Sequence, residues 1–272
     1  MLTPAQLAAR EGCITASFLP QLMAGKDDAI HNKWLELIGD PSWLPEDLSD
    51  NWPVLVGNLL EQPALDWHER KRQHPLIRRG DVVRHPTLSY VACTLDAYRE
   101  HDDTVIECKA TGTWMSLDEV IAHYTPQVIV QRACVGCRHA ALLIVHGTAE
   151  PVEYAIAIDP DYEAVLWQRV AQFQHCVETL TPPVAMPTVT PPEQWRAIDL
   201  DQDSEESRAN WATVIKLHLE TWAQHQDSAQ AFDTAKTEIK ALLPEDCRKL
   251  TFAGMLVTRA RNRAVTIKRA RA

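Results

Sequence analysis

The sequence predicts a mixed α/β (α+β) protein: a large core in which a mixed sheet is flanked by helices, followed by a small helical plus β-hairpin extension. Three observations carry this expectation. Short strand-like runs alternate with helix-length amphipathic stretches over the first two thirds of the chain, the pattern of an α/β or α+β core. Residues 181–194 hold Pro182, Pro183, Pro187, Pro191 and Pro192, a density that prevents a regular helix or central strand and marks a semi-rigid spacer. Beyond it, two helical patterns precede an alternating basic tail. The expected organisation is a core over residues 1–180, a linker over 181–194 and an extension over 195–272.

The elements follow in order. Residues 55–72 read as helix, with Pro63 kinking it or falling in its first turn. Residues 91–98 and 104–109 are strand-like and joined through a turn at 100–103. Residues 126–134 form an apolar helix, 140–146 and 154–159 two further strands, and 162–180 a long amphipathic helix. After the linker come helices over 207–224 and 228–243, the second closed by Pro244. The alternation on either side of 261–263 then makes 255–258 and 264–268 a hairpin.

Composition sets the outer limits. With 272 residues, 46% hydrophobic and 24% charged, the chain is ordinary for a globular protein, which excludes disordered, collagen-like and coiled-coil classes. Its longest apolar run, 140–145, is far short of the roughly 20 residues a membrane span needs. Residues 1–12 lack the apolar centre of a signal peptide, and the seven cysteines suit reduced thiols in a chain this long. A cytoplasmic protein with no membrane partner is expected. The net charge of −10 divides unevenly: residues 1–248 carry −17 and residues 249–272 carry +7 with no acid. Such a cluster on an acidic protein is either an electrostatic footprint for phosphate or a solvated surface.

The chemistry concentrates in the two central strands. Side chains alternate faces with period two, so Glu107 and Lys109 share a face with Val105 while Ile106 and Cys108 point away. If the strands pair about a turn near 101–102, Asp96 becomes a close neighbour of Glu107. Two carboxylates that close need a cation between them, and Mg²⁺ prefers carboxylate oxygens while keeping waters for phosphate. Lys109 beside such a metal would orient or deprotonate an attacking water, which suits phosphodiester hydrolysis; the alternative is a surface Asp and a Glu–Lys pair on a solvated hairpin. Glu61 adds a carboxylate on the upstream helix. Downstream, Gln127 and Gln131 lie four apart on one helical face, and with Tyr124 they suit a metal-bound water or a phosphate, or else hydrogen bonds at the edge of a core.

In order, GxxxE at 57–61, Leu95 and Asp96, ExK at 107–109, and YxxQxxxQ at Tyr124, Gln127 and Gln131 resemble the YqaJ-type viral recombinase family, the group of the lambda-type exonucleases within the PD-(D/E)xK nuclease superfamily. The likeness runs over about residues 10–159, and the segment 10–17 carries an Arg and a Ser in register with the family's opening. The resemblance implies a restriction-endonuclease-like core, with Asp96, Glu107 and the backbone carbonyl of Cys108 as ligands of Mg²⁺, for which Mn²⁺ substitutes. Glu61 joins the metal–water network. Lys109 positions the attacking water, supported by Gln127 and Tyr124. Arg10, Ser17, Thr94 and Gln131 hold a DNA 5′-phosphate or the strand beside it. Thr94 stands where relatives carry serine, and Ala97 follows the aspartate where relatives often carry glycine.

The implied activity is 5′→3′ exonuclease on double-stranded DNA ends. It leaves 3′ overhangs for a single-strand annealing protein, in a phage or prophage setting, with the enzyme working as a homotrimer. The tail residues Arg259, Arg261 and Arg263, with Lys268 and Arg269, are expected on duplex backbone or a partner. No phosphate loop is present, so no nucleotide cofactor is expected. Cys134 and Cys137 form a lone CxxC, short of the four ligands of structural zinc. They read instead as small residues at a helix end, and Trp114 reads as packing or as a DNA contact. Rival readings are an endonuclease or repair nuclease of the same superfamily, or a catalytically silent DNA-binding scaffold.

Overall fold

The computed structural model describes residues 3–193, 196–202, 204–225, 229–260 and 262–270. The chain separates into two compact units, Met1–Glu193 and Gln194–Ala272.

The first unit begins with α1 (Pro4–Ala9), β1 (Ile14–Thr15), α2 (Leu19–Met23), α3 (Asp27–Ile38) and α4 (Trp52–Arg72). There follow β2 (Val82–Arg84), β3 (Val91–Thr94), β4 (Ala97–Arg99), β5 (Thr104–Thr111), α5 (Leu117–Val135), β6 (His139–His146), β7 (Val152–Ala155) and α6 (Pro160–Glu178). Two sheets result, one in the order β1-β3-β2 and one in the order β4-β5-β6-β7. In the second, β5 and β6 are parallel while β4 and β7 are antiparallel to their neighbours. The alternation along β5 sorts its side chains between two cores. Val105 packs with Leu142, Ile144, Val128 and Phe173 beneath α5 and α6, and Ile106 and Cys108 pack with Ala141, Leu143 and Leu65 beneath α4. This mixed sheet between helical layers is the expected core.

Besides β7, which ends at Ala155 where a strand over 154–159 was expected, two elements depart from the sequence pattern. The expected strand 91–98 is divided. β3 pairs with β1 and β2, whereas β4 pairs with β5. Between them Leu95 bonds to the 80–81 backbone: its N–H donates to Asp81 O and its carbonyl accepts from Gly80 N–H. Leu95 therefore stays with the first core, and the pleat restarts so that Ala97 faces α4. The second departure is α5, which begins at Leu117 rather than Pro126. Ser116 caps it in a reciprocal box with Glu119, and burial of Leu117, Val120 and Ile121 outweighs the N–H that Pro126 removes.

Residues 181–193, expected as a spacer, lie on the first unit. Val189 N–H donates to Met23 O, Thr188 Oγ1 donates to Ala24 O, and Met186 is buried. The buried Arg169 guanidinium donates to the carbonyls of Leu22, Met23 and Pro187. Proline-rich backbone lacks donors but not acceptors, and a buried guanidinium with five N–H groups needs acceptors.

The second unit contains β8 (Arg196–Asp199), α7 (Glu205–Arg208), α8 (Asn210–Gln224), α9 (Ala229–Leu242), β9 (Cys247–Phe252), β10 (Met255–Arg259) and β11 (Val265–Arg269). The expected hairpin is β10–β11, but it belongs to a sheet ordered β11-β10-β9-β8 with β8 and β9 parallel. Ile215, Leu219 and Trp222 of α8 pack with Ile239 of α9 and with Leu250 and Val257 of the sheet. The unit is thus α/β, not two helices with a hairpin alone. The start of the expected helix at Ser228 lies outside the described residues. Among the described residues no helix is long and apolar enough to cross a membrane.

A buried ionic network fastens β4, α4 and β7. The Arg99 guanidinium donates to both carboxylate oxygens of Asp102 and of Glu153, and His68 Nε2 lies 2.8 Å from Glu153 Oε2. Burial raises the affinity of Glu153 for a proton, but Arg99 and His68 outweigh it and bring its pKa down to about 2. A carboxylate depressed on folding stabilises above its unfolded value and loses that contribution as pH falls through the folded value. Urea denaturation from pH 6 to pH 2 is expected to show stability falling below about pH 4.5, with part of that slope absent in Glu153→Gln. An unchanged acid slope in the variant would show that this network contributes nothing to it.

Candidate active site

Glu107 is 2% exposed and carries its charge among fixed donors. Gln127 Nε2 and Lys109 Nζ each lie 2.5 Å from its Oε1, and Gln131 Nε2 lies 2.5 Å from its Oε2. The four-residue spacing of the glutamines sets both amides over one carboxylate, because residues i and i+4 share a helix face. Gln131 Nε2 also donates to Thr94 O at 3.2 Å, which ties α5 to β3 as well as β5. The lysine ammonium rests over the Tyr124 ring, 4.8 Å from its centroid, a cation–π contact.

Asp96 occupies the break between β3 and β4. The pairing Ala97↔Ile106, continued by one step, places Asp96 across from Glu107. Its Oδ2 accepts the Cys108 N–H at 2.8 Å. Burial, and then the negative charge of Glu107, hold the Asp96 carboxyl well above the usual range, against the pull of Lys109. For Lys109 burial works the other way, but Glu107 and Asp96 more than reverse it, and the side chain remains a cation above its ordinary value. Lys109 is held between Glu107 and the Tyr124 ring.

These side chains open on a cleft of about 370 Å³, whose lining includes Arg10, Ser17, Asn58, Glu61, Thr94, Asp96, Glu107, Lys109 and Gln127. Eight of the residues singled out from the sequence thus share one cavity. Gln131 stands behind Glu107, Tyr124 beneath Lys109, and Cys108 meets Asp96 through its N–H. Arg10 is half-buried, and desolvation lowers its pKa against the pull of Glu36, yet its guanidinium makes no hydrogen bond among the described residues. Ser17 Oγ shares a hydrogen bond with Thr15 Oγ1 at 3.2 Å. Asn58 and Thr15 also line the cleft and were missed. Asn58 was legible, one helical turn before Glu61 on the same face; Thr15 had no signal beyond its nearness to Ser17.

The tail residues belong to the second unit. Arg259 is committed within the second unit: its guanidinium donates to the carbonyls of Leu243, Pro244 and Glu245 just past the end of α9. Those bonds take three of the five guanidinium N–H donors and hold Arg259 as a cap on the carbonyls beyond α9. Arg263 lies in the β10–β11 turn with φ 63°, and Arg261 lies outside the described residues. Basic residues of the first unit are paired as well: Arg79 with Asp66 and Glu69, and Lys71 with Glu150. The CxxC closes α5. Gly136 between the cysteines is left-handed at φ 74°, and Cys137 Sγ is bonded to backbone carbonyls.

Among the described residues no three His, Cys, Asp or Glu side chains are arranged as they stand to hold a metal. The donor chemistry nonetheless fits a hard divalent cation. Asp96, Glu107 and Glu61 offer only oxygens to one cleft that also holds Lys109 and Arg10, and Thr94 Oγ1 in its lining is buried without a hydrogen-bond partner among the described residues. Oxygen ligands with room left for water are what Mg²⁺ requires.

The core is a mixed sheet between helical layers, with a carboxylate–lysine strand at its cleft. Its particular form is shared with the alkaline exonuclease LHK-Exo of Laribacter hongkongensis, which aligns with a TM-score of 0.56 and 21% identity over 66% of this chain and 94% of that one. The same enzyme in complex with dAMP aligns equally well, at TM-score 0.56, 21% identity and the same coverage of 66% and 94%. A phage-related exonuclease from Haemophilus somnus 129PT aligns at TM-score 0.48 and 14% identity, over 62% of this chain and 94% of its own. No protein-family model and no curated protein matches the sequence.

Removing one of the amides over Glu107 tests the geometry. Gln131→Leu leaves a buried carboxylate oxygen and the Thr94 carbonyl short of a donor, and is expected to cost about 1–3 kcal/mol in urea denaturation. Stability equal to wild type would show that Gln131 does not support Glu107.

Proposed function

We propose that this protein is a divalent-metal-dependent deoxyribonuclease acting from the 5′ ends of linear duplex DNA. The observation that carries the reading is the single cleft in which Asp96, Glu107 and Lys109 face Arg10 and Ser17. Asp96 and Glu107, with the Cys108 carbonyl and Glu61, would hold Mg²⁺. When bound, the metal polarises the phosphoryl oxygens and neutralises charge that develops on them.

The remaining work falls to the chain. Lys109, kept cationic and seated on Tyr124, orients the attacking water toward phosphorus. Gln127 and Gln131 fix Glu107 so that the carboxylate does not swing away. Arg10, half-buried and without a hydrogen-bonded partner, offers a forked cation to a terminal phosphate, with the Ser17 hydroxyl beside it. Recognition of a 5′-phosphate favours end-dependent over internal cutting, and the exonuclease names of the structural neighbours point the same way. The motif resemblance extends the proposal to 3′ overhangs, a single-strand annealing partner, a trimeric ring and a cytoplasmic setting.

The test is incubation of linear duplex carrying 5′-phosphate, linear duplex carrying 5′-hydroxyl, and closed circular DNA, each with Mg²⁺ or EDTA. Nucleotide release from the phosphorylated linear substrate, only with metal, is expected. Nicking of circles would establish an endonuclease instead, and binding without cleavage in every lane would establish a scaffold. Asp96→Asn is expected to abolish cleavage and keep DNA binding. Arg10→Ala is expected to erase the preference for 5′-phosphate, seen in kcat/KM on the two linear substrates.

A further inference from the structure

We propose that Trp114 is a stacking platform for an unpaired nucleobase of the substrate, seated within about five nucleotides of the hydrolysed bond. The inference deepens the nuclease reading and rests on it for the identity of the ligand. Trp114 is 83% exposed, although a tryptophan offers roughly 150–250 Å² of mostly apolar surface that water solvates poorly. Trp52 is also exposed, at 71%, whereas Trp67 has Arg70 and Lys71 over its ring and donates to Glu150.

The loop that presents Trp114 is built rather than loose. Gly147 N–H donates to Thr111 O at 2.7 Å, His146 Nε2 and Met115 O are 2.9 Å apart, and Ser116 and Glu119 lock the far end in the α5 capping box. Within it, the indole lies against Gly112. A Cβ at Gly112 would fall 2.5 Å from the indole Cδ1 and 2.6 Å from Nε1. Gly112 is not among the positive-φ glycines, so its backbone does not need glycine. The missing side chain leaves room for the ring, whose surface is turned to solvent.

Position supplies the ligand. Trp114 follows Lys109 by five residues on the same strand and its exit loop, which at full extension spans no more than about 18 Å. Bases in a nucleic-acid strand rise about 3.4 Å each, so the ring reaches a base up to about five positions from the bond held at Lys109. Paired bases inside a duplex already stack on their neighbours. A base offers a free face only when it is unpaired, and aromatic side chains bind such faces with little sequence preference.

The full chain in EDTA, with no cleavage, provides the test. Its affinity is measured by fluorescence anisotropy for a labelled duplex with a frayed 5′ end, and for the same DNA with single abasic sites at successive positions from that end. Trp114→Ala is expected to weaken binding about tenfold to a hundredfold, Trp114→Phe by less, and Gly112→Ala toward the alanine value by displacing the ring. One abasic position should weaken wild type but leave Trp114→Ala unaffected. Binding by Trp114→Ala within twofold of wild type, or an equal abasic penalty in both proteins, would overturn the proposal. Cleavage with Mg²⁺ separates the two readings. A wild type that degrades DNA without the abasic coupling loses the stacking platform alone. A wild type that shows the coupling but releases no nucleotide loses the nuclease assignment alone, and one that binds no DNA loses both.

Discussion

The burial of one charge, that of Glu107, organises the rest of the site. A carboxylate removed from water costs several kcal/mol unless donors replace its hydration, and here three donors come from two elements: Gln127 and Gln131 on α5, and Lys109 on β5. Because Gln131 also reaches the Thr94 carbonyl, satisfying this charge fixes α5 against both sheets at once. Lys109 is fixed in turn between Glu107 and the Tyr124 ring. The positions of the polar groups are set before any substrate arrives, so little reorganisation remains for the chemical step.

The discontinuity at Leu95 and Asp96 has a similar standing. A continuous strand would alternate uniformly, and with Leu95 directed into the first core Asp96 would turn toward the α4 side. Diverting Leu95 to the 80–81 backbone resets the pleat, so that Leu95 is buried and Asp96 still meets the Cys108 N–H and the cleft. Two sheets of different connectivity therefore meet at the candidate site. Side chains from segments far apart in sequence, such as Arg10, Glu61 and Glu107, reach one cavity through that junction.

How much of this the sequence disclosed depended on whether the cause was local. The period-two sorting of β5 and the four-residue spacing of Gln127 and Gln131 are local, and both were legible. The break after Thr94 was not, because its cause lies at residues 80–81. The first half of α5 was masked by Pro126, whose penalty is overridden by burial that only the fold reveals. In the second unit, β9 carries Arg248 and Lys249 in its centre and did not read as strand, so its sheet was missed while the β10–β11 hairpin was found. Charge counts said least about Arg259. A run of basic residues gives no sign that one of them faces the carbonyls beyond α9.

The strap over residues 181–193 bears on where the first unit can be separated from the remainder. Arg169 is buried, and one of the three carbonyls around it, that of Pro187, comes from beyond the last helix. A chain ending at residue 180 would strip that acceptor from a buried cation and uncover the ground on which Met186 sits, while one ending at 193 keeps both. The natural seam of the protein therefore falls after its proline-rich stretch, and those prolines belong to the foundation of the first unit rather than to the gap that follows it.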